Sequence, residues 1–399
     1  MHSSTRSDAA PDSGTRADGA ARPADWWRSH LAPVMSFAEA ATPHYVYHLP
    51  TARAAARRLL DLPPTARILY ALKANPHPAL LRTLSSEGAG LECVSPGEVQ
   101  HALCSLPHLS PPQVLFTPNF APRSDYAWAF DQGVRVTLDN AYGLTHWPDV
   151  FAGRDIFLRI DPGEGHGHHA HVQTAGITSK FGIDLDDLPA VAERANEIGV
   201  RVSGLHAHVG SGVTEPTAWR TIAQRMREVR PLFPDVEVFD LGGGLPIPDT
   251  AEALPFDVQH AAALLGDLAN ELPGIELWLE PGRYLVAEAG VLLTRVTQIK
   301  RKRTRTFVGV DAGMHTLIRP ALYGAFHAIV NLTRLGEPDA LVADIVGPIC
   351  ETGDVLGHAR PLPETEEGDV LLIATAGAYG QSMASRYNLR EMAAESVLE

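Results

Sequence analysis

Lys73 stands in YALKANPHPAL, directly after an apolar run, where an inward-turned lysine is expensive to bury unless its amine has a chemical task. A lone lysine is ordinarily a surface residue. Desolvation at a strand end lowers a lysine's pKa and frees the amine to form a Schiff base with an aldehyde. Three glycine-bearing turns later in the chain suit such an aldehyde if it also carries a phosphate. They are HVGSG from His208 to Gly212, the triplet Gly242, Gly243 and Gly244, and EPGR from Glu280 through Gly282 to Arg283. Where no Cβ intervenes, backbone N–H groups can approach phosphate oxygens, and Ser211 adds a hydroxyl donor. One glycine cluster is usually a tight turn; three at successive strand ends point to an anion cradle. Glu280 adds a carboxylate, which favours a proton on the nitrogen of an electron-accepting ring; its plain structural alternative is a pairing with Arg283. His208 is placed to stack on such a ring. His206, two residues earlier, shares its side of the strand, so spacing does not separate the two.

Residues so far apart need a frame that brings them to one end. Eight short β-type runs alternate with helical patterns: Ile68–Leu72, Gly90–Val94, Val114–Thr117, Val136–Leu138, Ile156–Ile160, Gly204–His208, Glu237–Leu241 and Glu276–Leu279. Between them, stretches such as LDDLPAVAERANEIG and TAWRTIAQRMREVRPLF repeat apolar residues at three and four. This alternation predicts an α/β chain whose residues 49–285 form a closed (β/α)8 TIM barrel, with the chemistry at the C-terminal ends of the strands. Over 286–399, GVLLTRVTQIKRKRTRTFVGVD, ALVADIVGPIC and GDVLLIATAGAY predict a second, β-rich domain of sandwich or barrel-like type. Residues 26–48, which include most of the strand-like HYVYHL, are expected to join that domain. Residues 1–25, rich in Ser, Ala, Asp, Gly and Pro without periodicity, read as a disordered tail or linker.

Composition narrows the partner. Lys and Arg number 33 against 47 Asp and Glu, and the net charge of −14 excludes the basic face that nucleic acid or an anionic membrane requires. A small-molecule substrate fits. No apolar run is long enough to span a bilayer, and the first residues lack the pattern of a signal peptide, so a cytoplasmic setting is expected. Cys93, Cys104 and Cys350 make no disulfide framework. The histidine-rich tract GHGHHAHVQTAG invites a metal reading, yet no carboxylate or cysteine pair accompanies it at ligand spacing, and no metal is expected.

The ordered segments TPHYVYHL, YALKAN, LECVSPGE, GHGHHAHVQTAGITSKFGI, HAHVGSG, LGGGLP, EPGR, RPALYG, GPICETGD and GAYGQSMASRYN carry a resemblance that covers nearly everything after residue 42. The chain resembles the fold-type III pyridoxal-phosphate decarboxylases, and among them those acting on diaminopimelate, near the branch that some bacteria fuse behind an aspartate kinase. The resemblance implies pyridoxal 5'-phosphate held by Lys73, with His208 stacked on its ring and Glu280 at the pyridine nitrogen. Ser211, Gly243, Gly244, Gly282 and Arg283 would surround the cofactor, and Tyr379 would lie near the phosphate. Cys350 resembles the proton donor supplied by the neighbouring subunit, which implies a homodimer with shared sites. On composition alone Cys350 would be a small apolar residue packed in a β-domain.

The same resemblance gives substrate contacts to Arg283, Arg319, Tyr323, Glu351 and Tyr379, with Glu351 pairing with the distal ammonium. A planar guanidinium is the natural reader of a second carboxylate. The implied reaction is decarboxylation of meso-2,6-diaminopimelate to L-lysine and carbon dioxide, the last step of lysine biosynthesis. The nearest alternatives are decarboxylases of ornithine, arginine, carboxynorspermidine or a carrier-bound glutamate. An amino-acid racemase on the same barrel would pair the ring nitrogen with an arginine, where this chain has Glu280.

Overall fold

The computed structural model describes residues 23–62, 66–163, 179–208, 210, 217–248 and 255–399. After β1 (His44–His48) come the barrel strands β2 (Ala66–Ala71), β3 (Gly90–Cys93), β4 (Val114–Phe116), β5 (Arg135–Leu138), β6 (Asp155–Arg159), β7 (Arg201–His206), β8 (Val238–Asp240) and β9 (Glu276–Leu279). Each pairs in parallel with the next, and β9 returns to β2, closing the expected barrel. The helices between them bury one stripe. In the helix Thr217–Val229 that stripe is Trp219, Ile222, Ala223, Met226 and Val229, the three- and four-residue recurrence of the sequence.

Two strand ends differ from expectation where it matters. β2 stops at Ala71, and Lys73 sits in the 3-10 turn Leu72–Ala74. The turn forms because Asn75 N–H donates to the Leu72 carbonyl at 3.0 Å and the Tyr70 hydroxyl donates to the Asn75 carbonyl at 2.9 Å, folding the chain back. β7 stops at His206, so His208 lies beyond the strand on a turn, and the two histidines no longer share one regular face.

A plug of side chains fills the barrel interior below the site: Leu69, Leu115, Phe157, Val238 and Trp278 pack as one buried cluster. Gly204 leaves room for it, since a Cβ there would meet the Phe157 ring at 2.7 Å. At the N-terminal end of the strands, the Arg67 and Arg135 guanidinium groups lie 4.7 and 5.3 Å from the Trp278 ring centre. Arg67 also pairs with Glu276 at 3.2 Å, and Arg201 with Glu237 at 2.6 Å. Charge therefore closes the end away from Lys73.

The remaining strands are β10 (Gly290–Lys302), β11 (Arg305–Val310), β12 (Ile329–Asn331), β13 (Leu341–Val346), β14 (Val355–Leu362), β15 (Val370–Ile373) and β16 (Ala394–Leu398). They form a mixed sheet in the order β12-β15-β10-β11-β13-β14. β1 joins it, antiparallel to β10 and parallel to β16. Trp26, Trp27, Val34 and Ala38 pack on Val46, Val291, Leu293 and Leu372 of this sheet. Among the described residues no helix is long and apolar enough to cross a membrane.

The Trp278 indole is the largest member of the plug and is 1 % exposed. Trp278→Ala is expected to lower the unfolding free energy by about 3–5 kcal/mol. Denaturant unfolding measures this, and a loss below about 1 kcal/mol would mean that the plug does not hold the barrel closed.

Candidate active site

One cavity at the C-terminal ends of the barrel strands gathers Lys73, His208, Gly243, Gly244, Glu280, Gly282, Arg283 and Tyr379. The Lys73 side chain is 42 % exposed to it, while its partner Glu92 is 1 % exposed. Lys73 Nζ donates to Glu92 Oε2 at 2.7 Å, and Thr117 Oγ1 donates to the other oxygen. This corrects the expectation of a depressed amine. Burial does push the Lys73 pKa down, but the charges of Glu92, Tyr379 and Glu280 outweigh it and raise the pKa above the usual lysine value. The resting amine is a cation.

On the opposite side, Glu280 follows β9. Its N–H donates to the Gly242 carbonyl at 2.9 Å, and its Oε2 lies 3.2 Å from His206 Nε2. Burial would raise its pKa, yet His206, by charge and hydrogen bond, and then Lys73 hold it down at about 2. Asp240 at the end of β8 goes the other way. Burial pushes it well above the carboxylate range and the neighbouring Glu280 charge adds to that. His206, Asp240 and Glu280 bring ligand-type atoms within 4.8 Å of one another, with His206 Nε2 against Glu280 Oε2.

The glycine turns are shaped by contact. A Cβ on Gly243 would fall 2.2 Å from the Glu280 carbonyl oxygen, and Gly242 and Gly244 take φ of +69° and +93°. Gly243 N–H donates to His208 Nδ1 at 3.2 Å, and burial, reinforced by Arg159 and Lys73, holds that ring neutral with a pKa of about 3. Tyr379 reaches the cavity from the loop after β15 with φ +56°, fixed by its N–H to the Ala74 carbonyl at 2.8 Å, and Arg283 lies 4.9 Å over its ring. Glu280 Oε1 and Arg283 Nη1 are buried with no hydrogen-bond partner among the described residues. A primary amine, an unsatisfied carboxylate oxygen and a glycine cradle together fit a group carrying an aldehyde, a ring nitrogen and a phosphate.

Other expected residues lie elsewhere. Cys350 and Glu351 occupy the exposed loop between β13 and β14, outside the cavity. There Cys350 Sγ accepts from Asn388 Nδ2 at 3.1 Å, and Glu351 accepts from the Tyr387 hydroxyl at 2.7 Å. Asp354 gives this loop its shape: its carboxylate accepts from the N–H groups of Met314 at 2.5 Å and Ile349 at 2.7 Å. Arg319 is buried and Tyr323 half-buried on the helix Arg319–Tyr323; neither lines the cavity. Ser211 and the tract GHGHHAHVQTAG lie outside the described residues. Sequence reasoning missed Glu92, Thr117, Arg159 and Asp240. Glu92 and Arg159 carried a usable signal, a charge inside an apolar strand, and the partner of Arg159 is Asp139 at 3.7 Å.

Residues 50–287 match the pyridoxal-binding domain of pyridoxal-dependent decarboxylases. The diaminopimelate decarboxylase of Methanothermobacter thermautotrophicus is 40 % identical over 344 residues, which is 82 % of this chain and 79 % of that protein. That of Deinococcus radiodurans is 36 % identical and covers 89 % of each chain. The crystal structure of the Helicobacter pylori diaminopimelate decarboxylase with L-lysine superposes with a TM-score of 0.84 at 29 % identity, over 92 % of this chain and 94 % of that one.

Removing the His206 contact takes away the largest influence that opposes burial at Glu280. His206→Gln is therefore expected to move the acid-side transition in a pH titration of the cofactor-dependent visible absorbance to higher pH. An unmoved transition would detach His206 from the control of Glu280.

Proposed function

The chain belongs to the pyridoxal-dependent decarboxylases, and we propose that within them it converts meso-2,6-diaminopimelate to L-lysine and carbon dioxide. It is a carboxy-lyase that uses pyridoxal phosphate. The likeness to diaminopimelate decarboxylases in both sequence and structure carries the substrate assignment. When bound, the cofactor supplies an aldehyde that condenses with amines and a ring that accepts the electron pair left by a departing carboxylate.

Lys73 supplies the amine that holds the aldehyde. Glu92 keeps that amine aimed into the cavity and takes up its charge. Glu280, ionised across the neutral range, holds a proton on the ring nitrogen from its unpaired oxygen. The turns at Gly243, Gly244 and Gly282, with Ser211 and Tyr379, would hold the phosphate, and His208, kept neutral by burial, would face the ring. Arg283 and Arg319 read the far carboxylate, with Tyr323 and Tyr379 beside them, and Glu351 reads the far ammonium. Glu280 in place of an arginine at the ring nitrogen favours decarboxylation over racemisation.

Cys350 of a second copy would supply the proton that takes the place of the departing carboxylate. Its exposure at the end of the β13–β14 loop, with exposed Phe120 and Leu389 available to meet another surface, supports a homodimer with shared sites. Cys93, Cys104 and Cys350 are all free, which suits a cytoplasmic setting.

Purified enzyme is expected to release carbon dioxide from meso-diaminopimelate in preference to ornithine, arginine or lysine, with L-lysine as product; preference for one of those three overturns the substrate. Lys73→Ala is expected to lose the cofactor-dependent visible absorbance. Mixing inactive Lys73→Ala with inactive Cys350→Ala subunits should restore about a quarter of wild-type activity, because half of randomly paired dimers hold one intact site. No recovery after subunit exchange rules out sharing.

A further inference from the structure

We infer that His327 is a positioning residue that sets the orientation of the Arg319 guanidinium toward the far carboxylate of the substrate; this rests on the reading of Arg319 proposed above. Arg319 opens the short helix Arg319–Tyr323 and is 9 % exposed, and His327 is 1 % exposed. Arg319 Nη1 lies 3.1 Å from His327 Nε2, and His327 Nδ1 lies 3.0 Å from the Ala374 carbonyl oxygen. A guanidinium only donates and a carbonyl only accepts. The ring therefore carries its proton on Nδ1 and offers the Nε2 lone pair to Arg319, and both partners select one neutral tautomer. Burial, followed by the Arg319 charge, holds the His327 pKa at about 3, in agreement.

Neutrality is what makes the arrangement useful. A carboxylate in the place of His327 would also orient the guanidinium, but it would set a negative charge beside the anion that Arg319 is to bind. An imidazole fixes the planar fork and adds no charge. The anchor is firm, because Ala374 N–H donates to the Ala328 carbonyl at 2.9 Å, next in the chain to His327. The same segment runs on to Tyr379, whose ring lies under Arg283 at 4.9 Å. One stretch, Ala374 to Tyr379, thus orients both arginines assigned to the substrate, Arg283 through an aromatic face and Arg319 through His327.

The test compares His327→Leu, His327→Asn, His327→Gln and Arg319→Gln holoenzymes. KM and kcat are measured for meso-diaminopimelate, and Ki for cadaverine, which lacks the far carboxylate. His327→Leu is expected to raise KM about tenfold with kcat within about twofold and the cadaverine Ki unchanged, since a hydrogen bond from a charged group is lost without touching the reacting end. His327→Gln, whose amide oxygen reaches Arg319, should recover most of the KM, and the shorter His327→Asn should not. Arg319→Gln should raise KM at least as far as His327→Leu. If Arg319→Gln raises KM and His327→Leu does not, the positioning role is wrong. A weakening of cadaverine by the same factor as the rise in KM makes His327 a general packing residue and overturns the role. An unchanged KM in Arg319→Gln removes the arginine reading itself, and the inference with it. Should His327→Leu fail to fold, equal KM values for the Asn and Gln variants overturn the proposal.

Discussion

The carboxylate of Glu92 is buried on β3, and an ionised carboxylate there costs several kcal/mol unless donors surround it. Two do. Lys73 comes from the turn after β2 and Thr117 from just beyond β4, so satisfying one charge ties together three neighbouring strand ends. The same demand aims Lys73. Its stem has to leave the strand axis to reach Glu92, which places the amine at the mouth of the barrel instead of in solvent. The pair also sets the protonation state of Lys73, because an amine beside a buried anion is stored as its cation.

That turn is held from a second direction. Asn75 Nδ2 donates to the Gly377 carbonyl at 2.8 Å, and the Ala74 carbonyl accepts from Tyr379 N–H and from Ser382 Oγ at 2.8 and 3.2 Å. All three partners belong to the loop after β15, outside the barrel. Tyr379 adopts a left-handed backbone that costs a non-glycine residue about 1–2 kcal/mol, and these bonds offset it. The site is therefore a joint product of the barrel and the mixed sheet. β1 strengthens the join, since it pairs with β10 and β16 in the sheet and leads directly into the first barrel helix, Leu49–Leu60.

Local pattern carried the architecture. Alternating β-type runs and amphipathic helices encode a barrel without reference to distant residues, and glycine turns mark the strand ends that bear chemistry. What depended on pairing across the barrel was not legible. His206 and His208 look alike by spacing, and only the end of β7 at His206 separates them, one against Glu280 and the other under the Gly243 amide. The direction of the Lys73 pKa was misjudged for the same reason. Desolvation is a local property of the strand end, while Glu92 arrives from the next strand. Cys350 and Glu351 were legible as a motif, but one chain does not bring them to Lys73, because the loop that Asp354 shapes stands at an exposed surface.

Asp240 shows how few independent parts the site contains. Its Oδ1 accepts from Gly242 N–H at 2.9 Å, so the carboxyl that starts the glycine triplet is the one crowded against Glu280. Two buried carboxyls this close cannot both ionise, and the one beside His206 keeps the charge. A fully ionised Asp240 would lift the pKa of Glu280 by repulsion and weaken the hold on a ring proton; an apolar residue in its place would leave Gly242 N–H without its acceptor and loosen the turn. An acceptor for Gly242 N–H that carries no full charge serves both ends. The shape of the glycine turn and the charge of Glu280 thus both bear on a single residue.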